Sequence, residues 1–416
     1  AEAEYDFARQ GLNSRQAFNS MHTSPWSWQL RRGPKVGSGL CATVFRMDPV
    51  RNDVGGPWNG KCPAHMAVVA KRINVNATFG AGDPFAGKRF RKAAKDACVA
   101  RALAELPGAG APPVIQIADA RFEGEDLFVL MGHGGEDLGK KFIHSEKGIK
   151  MSTDPREMAD ALVVVYHVLS SIERLHALNV VHCDIKPGNF VVTEGTAQQF
   201  PQARMIDFDM ALNFSEGSTP RRVGGTRNYL SPDIELEACP PQADIWALGV
   251  MMLELLHGKS LRRLLGRARR LDSDAVKTFA QAIQDGCPFA GHDDLEWDVH
   301  FTPGAYNSWK LLKHKRFVNG LASRLRLMIK SLLSPNRASL FKSVVRHAHS
   351  IAADAAAFAR DSASSGDSSG MDWSVEPAVV QAAPGLDKTC LGAIRFQSNV
   401  WEWLSKKTLQ ECLELR

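Results

Sequence analysis

The chain reads as an α+β fold in two parts, a small lobe built on an antiparallel β-sheet with one main helix and a larger, mainly helical lobe. Three observations predict this. Short strand patterns punctuated by glycine fill the first third of the chain. A single basic, alanine-rich helical stretch interrupts them at about residues 87–106 and is stopped by Pro107 and Gly108. After His133-Gly134-Gly135 the apolar period becomes helical and stays so.

Taken in order, residues 1–27 are a polar extension without a motif. Strands alternate around glycines from Gln29 to Arg46, and a further strand ends at Lys71 after an inserted Gly/Pro/Asn-rich loop, Asn52 to Cys62. Ile115 to Met131 alternates as a strand pair turning at Glu123-Gly124. In the larger lobe, Leu162, Val165, Leu169, Ile172 and Leu175 form an apolar stripe on a helix from Glu157 to Leu178. Ile245 to Leu256 and Leu321 to Leu333 are further apolar helices. The small lobe is thus placed at 28–131 and the large lobe at 135–352, with an insertion at about 259–319. The remaining 353–416 holds a linker, Ser362 to Gly370, and a tail whose Trp401 and Trp403 are expected to pack on the large lobe.

Composition sets the outer limits. The chain has 416 residues, 44% of them apolar, which allows a substantial core and excludes global disorder. A net charge of +6 over this length does not argue for nucleic acid. No apolar run approaches the ~18 residues needed to span a bilayer. Eight cysteines show no zinc-type or redox-type spacing, so free thiols are expected, and an intracellular setting is favoured over a secreted one.

The chemistry is carried by four segments. Gly37-Ser38-Gly39-Leu40-Cys41-Ala42-Thr43-Val44 lies between two strands, where glycines let the backbone approach nucleotide phosphates and Val44 can roof a purine. By itself such a loop is also an ordinary glycine hairpin. Val68-Val69-Ala70-Lys71 ends an apolar strand in a cation able to reach α- and β-phosphates. In His182-Cys183-Asp184-Ile185-Lys186-Pro187-Gly188-Asn189, Asp184 can accept a hydroxyl proton, Lys186 can neutralise charge on a γ-phosphate, and Asn189 can hold Mg²⁺. Asp207, in Ile206-Asp207-Phe208-Asp209, supplies a second carboxylate at a strand end for metal.

With these residues the chain resembles the eukaryotic-type protein kinase superfamily from about Trp28 to Ala352. Gly225-Thr226-Arg227-Asn228-Tyr229-Leu230-Ser231-Pro232-Asp233 is similar to the family's substrate-positioning segment, and Thr226 is placed with the catalytic residues. Asp244-Ile245-Trp246-Ala247-Leu248-Gly249 resembles the helix whose Asp braces the catalytic loop. Arg337 resembles the late arginine that pairs with the acid of the substrate segment, here Asp233. The resemblance implies the two-lobed kinase fold, ATP with Mg²⁺ (Mn²⁺ as an alternative metal), and protein substrates with Ser/Thr acceptors, the last because Lys186 follows Asp184 by two. It also implies a nucleotide site of Gly37, Ser38, Gly39, Ala42, Val44, Ala70, Lys71, Met131, His133 and Val191.

Three departures matter. Cys183 stands where an arginine normally gathers a phosphorylated residue, so activity is expected without phosphorylation at Ser215, Ser218 or Thr219. Asp209 replaces a glycine and is read as a turn residue that tolerates left-handed backbone. The helical acid that should pair with Lys71 is not evident; its expected place is Cys98 or Val99. Neither Asp96, about a turn earlier, nor Glu105, nearly two turns later, matches it, although Asp96 reaches Lys71 if the helix shifts or rotates. These breaks leave a rival reading, a pseudokinase scaffold. A small-molecule kinase is disfavoured by the Thr226–Asp233 segment. The basic runs Arg262 to Arg270 and Lys88 to Lys95 read as docking surfaces for acidic or phosphorylated segments, or as solvated helical faces.

Overall fold

The computed structural model describes residues 30–38, 42–49, 68–74, 86–107, 112–123, 126–144, 154–196, 199–214, 225–234, 238–260, 308–363, 373–376 and 399–415. Gly39, Cys41, Ser215, Ser218, Thr219, the Arg262–Arg270 run, most of the 259–319 insertion and the 364–372 linker fall outside them. The described residues divide into two compact units. One holds those up to Ala102, Ile115–His133 and the C-terminal residues from 399; the other holds Leu103–Val114 and those from Gly134 to 376.

The first unit is an antiparallel sheet. Its strands are β1 (Leu30–Ser38), β2 (Ala42–Pro49), β3 (Val68–Asn74), β4 (Ile117–Glu123) and β5 (Asp126–Gly132), in the order β1-β2-β3-β5-β4. Helix α1 (Ala86–Ala104) follows β3. β1 pairs with β2, β2 with β3 and β4 with β5, all antiparallel, and β3 pairs with β5, which lies beyond α1 and β4 in the chain.

The second unit begins with β6 (Glu136–Asp137), then α2 (Pro155–Ala177), β7 (Val180–Val181), β8 (Phe190–Thr193), β9 (Gln202–Met205) and β10 (Leu212–Asn213). Helices α3 (Pro241–His257), α4 (Ser308–Leu332) and α5 (Arg337–Ser362) complete it. Helix α2 starts sharply because the Asp154 carboxylate accepts from the Arg156 N–H and Pro155 occupies the first turn. Every residue of its expected stripe is buried, and so are Val163, Val164 and Val168, because α5 and β9 cover it from different sides. The large-lobe boundary expected at 352 falls inside α5, which continues to Ser362.

Two glycines are dictated by close approach. A Cβ at Gly135, where φ is +88°, would sit 1.9 Å from the Val192 carbonyl oxygen. A Cβ at Gly249 of α3 would meet Leu333 at 2.7 Å.

The tail contradicts its expected place. Helices α6 (Asn399–Ser405) and α7 (Leu409–Leu413) belong to the first unit, where α6 packs on β4 and buries Trp401 and Leu404. The expectation of free thiols is also overturned for the four cysteines among the described residues. Cys98 is bonded to Cys412 in the first unit, and Cys183 to Cys239 in the second. Sequence spacing could not reveal either pair, because their partners lie 314 and 56 residues apart.

Candidate active site

In the first unit, register decides which side chains share a face. Gly37 pairs with Val44, Val44 with Lys71, and Lys71 with Val129, which puts these positions in one row across the sheet. The next row on that face runs Val69 to Met131. Ala42 opens β2 opposite Ile73, Ser38 closes β1, and His133 is exposed just after β5. Ala70 was expected beside the nucleotide, but a strand's period of two places it on the face opposite Lys71. There it is fully buried and pairs with Phe45 and Leu130. The Lys71 face is instead completed by Val69 and Val129, which the motif alone did not single out. Counting two residues back along β3 from Lys71 finds Val69, and crossing to the directly paired position on the neighbouring strand finds Val129.

Lys71 donates to the Asp96 carboxylate at 2.7 Å, with both side chains largely shielded from solvent. Asp96 therefore supplies the acid that the sequence left unassigned. Cys98, at the position where an acid was expected, is committed to the Cys412 disulfide. Of the basic run on α1, Lys95 is buried at 5% exposure, so it does not belong to a solvated docking face.

In the second unit the loop from His182 to Asn189 is wired through buried groups. The Asp244 carboxylate accepts from the His182 N–H at 2.8 Å and the Cys183 N–H at 2.9 Å, and His176 Nε2 lies 3.0 Å from it. Burial would raise this carboxyl, but hydrogen bonding to His176 and the histidine charges outweigh it, and its pKa falls below the ordinary value. Cys183 adopts a left-handed φ of 65° and is fastened to Cys239 within a cluster containing Val181, Met210 and Ala243. The place of a charged, phosphate-gathering side chain is thus filled by an apolar, covalent contact.

Asp184 is the centre of convergence. Its Oδ1 accepts from the Thr226 hydroxyl at 2.7 Å and the Thr226 N–H at 3.0 Å; its Oδ2 accepts from Lys186 Nζ at 2.5 Å and from Asn189 Nδ2 at 3.3 Å. Burial pushes the carboxyl up, while the Lys186 ammonium and Thr226 hydroxyl pull it down further, so it stays ionised below the ordinary carboxylate range. Lys186 also reaches the Thr226 hydroxyl at 3.2 Å. Thr226, 40 residues beyond Lys186, is brought to the loop by the segment that ends in Asp233. Arg337 grips that acid in a two-pronged contact at 2.8 and 2.9 Å.

The β8–β9 pairing sets Asn189 beside Asp207. Phe190 pairs with Met205, and the Ile206 N–H donates to the Asn189 carbonyl at 3.0 Å. Asn189 Nδ2 also donates to the Asp184 carbonyl at 2.8 Å, so its amide nitrogen is spent within the loop and its side-chain oxygen is the atom able to ligate a metal. An amide oxygen and a carboxylate are the hard donors that Mg²⁺ takes alongside phosphate oxygens, so these two residues fit that ion. Val191 is half-buried on β8, opposite Arg204. Asp209 lies in a turn closed by the Ala211 N–H on the Phe208 carbonyl at 3.0 Å, as expected of a turn residue, but the left-handed backbone of this segment belongs to Asp207, with φ of 69°. Phe208 is fully buried, its ring 5.1 Å from that of His182.

Comparison with known proteins agrees with this geometry. A family model described as the protein kinase domain matches residues 75–338. Similar proteins include serine/threonine-protein kinase D2 of Homo sapiens, 34% identical over 135 residues, which are 32% of this chain and 14% of that protein. Mitogen-activated protein kinase 12 of Homo sapiens is 30% identical over 138 residues, 33% of each chain. Calcium-dependent protein kinase 22 of Arabidopsis thaliana is 27% identical over 150 residues, 36% of this chain and 29% of that one. The aligned stretch is therefore a small part of each relative.

Proposed function

The chain belongs to the protein kinase family, of the eukaryotic type, and we propose that it is an active enzyme that transfers the γ-phosphate of ATP to Ser/Thr hydroxyls of protein substrates without needing phosphorylation of its own activation segment. The observation that carries this reading is the convergence on Asp184. A carboxylate held ionised, with one oxygen on Thr226 and the other on Lys186 and Asn189, is poised to take the proton of a hydroxyl nucleophile. Lys186 beside it favours the charge that builds on the transferred phosphoryl group. Asn189 and Asp207 would hold Mg²⁺, which supplies charge neutralisation between phosphates when bound. Lys71, aimed by Asp96, would orient the α- and β-phosphates on the sheet face it shares with Gly37 and Val44.

Independence from phosphorylation is supported by the Cys183–Cys239 bridge, which fastens the loop residue before Asp184 without a phosphate. Both disulfides support an oxidising compartment, in place of the intracellular setting expected from composition. Among the described residues no helix is long and apolar enough to cross a membrane. The decisive experiment measures transfer of labelled phosphate from ATP with Mg²⁺ to a generic protein acceptor. Asp184→Asn is expected to lower the rate by ~10²–10⁴; equal background rates in both proteins would leave the scaffold reading.

A further inference from the structure

Helix α1 is held from two sides. Asp96 meets Lys71 at 2.7 Å on the side facing β3. Cys98 lies two residues on, roughly 200° around a helix that advances about 100° per residue. It therefore projects from the opposite side of α1, where it is bonded to Cys412 on α7. One turn further along α1, Arg101 donates from Nη2 to the Lys407 carbonyl between α6 and α7. Leu404 is fully buried and Trp401 nearly so, while the Lys407 ammonium lies 4.7 Å over the Trp403 ring. Helix α7 is begun by a capping box in which Thr408 and Glu411 satisfy each other's backbone N–H groups. The tail is thus a built structure against the back of α1.

We infer that the C-terminal segment 399–415 is a positioning element for the Lys71–Asp96 pair, acting through α1, and that the buried Cys98–Cys412 bond locks the segment in that place. The inference rests on the reading of Lys71 as the phosphate-orienting lysine. A pair drawn from residues 25 apart keeps its geometry only while the helix keeps its place. Packing and the bond from Arg101 seat the tail, and the disulfide prevents it from leaving.

The test uses the full chain and Cys412→Ser, with Cys98→Ser/Cys412→Ser as a second variant lacking an unpaired thiol. Amide hydrogen exchange is measured without nucleotide. Loss of protection across residues 86–104, with α2 unchanged, is expected in both variants. Unchanged protection in α1 overturns the inference whether or not the protein is a kinase. Steady-state transfer then compares Cys412→Ser, Asp96→Asn and the combination. Each single change is expected to lower kcat/KM for ATP by roughly 10–100-fold, and the combination no further, because the tail acts through Asp96. Multiplied effects would assign the tail a purely structural role and overturn the positioning claim. If wild type fails to exceed Asp184→Asn, the kinase reading falls, while the exchange result still decides whether the tail holds α1.

Discussion

Asp184 and Asp96 each lie against a lysine, at 2.5 and 2.7 Å, yet they are held in opposite ways. Asp184 and Lys186 are two residues apart on one loop, and that loop is pinned by the buried Asp244 carboxylate, by Thr226 and by a neighbouring disulfide. Asp96 reaches Lys71 from a separate helix, whose far side is closed by the end of the chain. The first arrangement is local and redundant. The second depends on a contact between residues more than 300 positions apart. The difference teaches that the residues proposed for proton removal are fixed by short-range wiring, whereas those proposed for phosphate orientation are fixed by assembly.

The comparison can be broken by removing one support at a time. Lys186→Met should lower kcat by ~10²–10³ with little change in melting temperature, because its partners are hydrogen-bonded elsewhere as well. A matching rise in KM for ATP would show that the two lysines are not separable. Asp244→Ala strands the backbone N–H groups of His182 and Cys183, so a loss of roughly 2–6 kcal/mol is expected in denaturant unfolding, at 1–3 per group. A loss below 1 kcal/mol would mean that the disulfide alone holds the loop.

Smaller effects sharpen the picture of the second unit. His167 of α2 is buried, donates from Nε2 to the Glu376 carbonyl at 3.0 Å, and has its pKa lowered to about 4 by burial. Its neutral form is the one the fold accepts. The associated stability is complete above the ordinary histidine value of about 6.5 and is lost as pH falls towards 4, on the order of 3 kcal/mol in all. His167→Gln should flatten that slope in melting curves between pH 4.5 and 7; an unchanged slope would place the titration elsewhere. Asp184 and Asp244, with depressed values, weaken the fold only at still lower pH, as they are protonated below the ordinary carboxylate range. Arg337→Lys loses the two-pronged grip on Asp233, at a cost of about 1–2 kcal/mol. Unfolding measured beside Asp233→Asn would show whether the loss comes through that pair.

What was legible in the sequence follows the same division. The strands, α1, α2 and α3 could be read because their apolar periods are local. The Asp184, Lys186 and Asn189 loop, the Asp244 brace and the Arg337–Asp233 pair could be read because each motif is short and chemically specific. Asp96 was not assigned, because which face of α1 meets β3 depends on packing. Ala70 was misplaced because it was chosen by adjacency to Lys71, although adjacent residues of a strand face opposite ways. The disulfides and the seat of Trp401 were missed because both are long-range contacts with no spacing signal.

The central claim is that the catalytic loop is competent by its own wiring and needs no phosphate. It is tested most directly by the initial rate of phosphate transfer after the chain has been stripped of phosphate by a phosphatase, with Asp184→Asn as the baseline. The account predicts a rate equal to that of untreated protein and ~10²–10⁴ above the baseline. A stripped protein that falls to the baseline and recovers on phosphorylation at Ser215, Ser218 or Thr219 would contradict it.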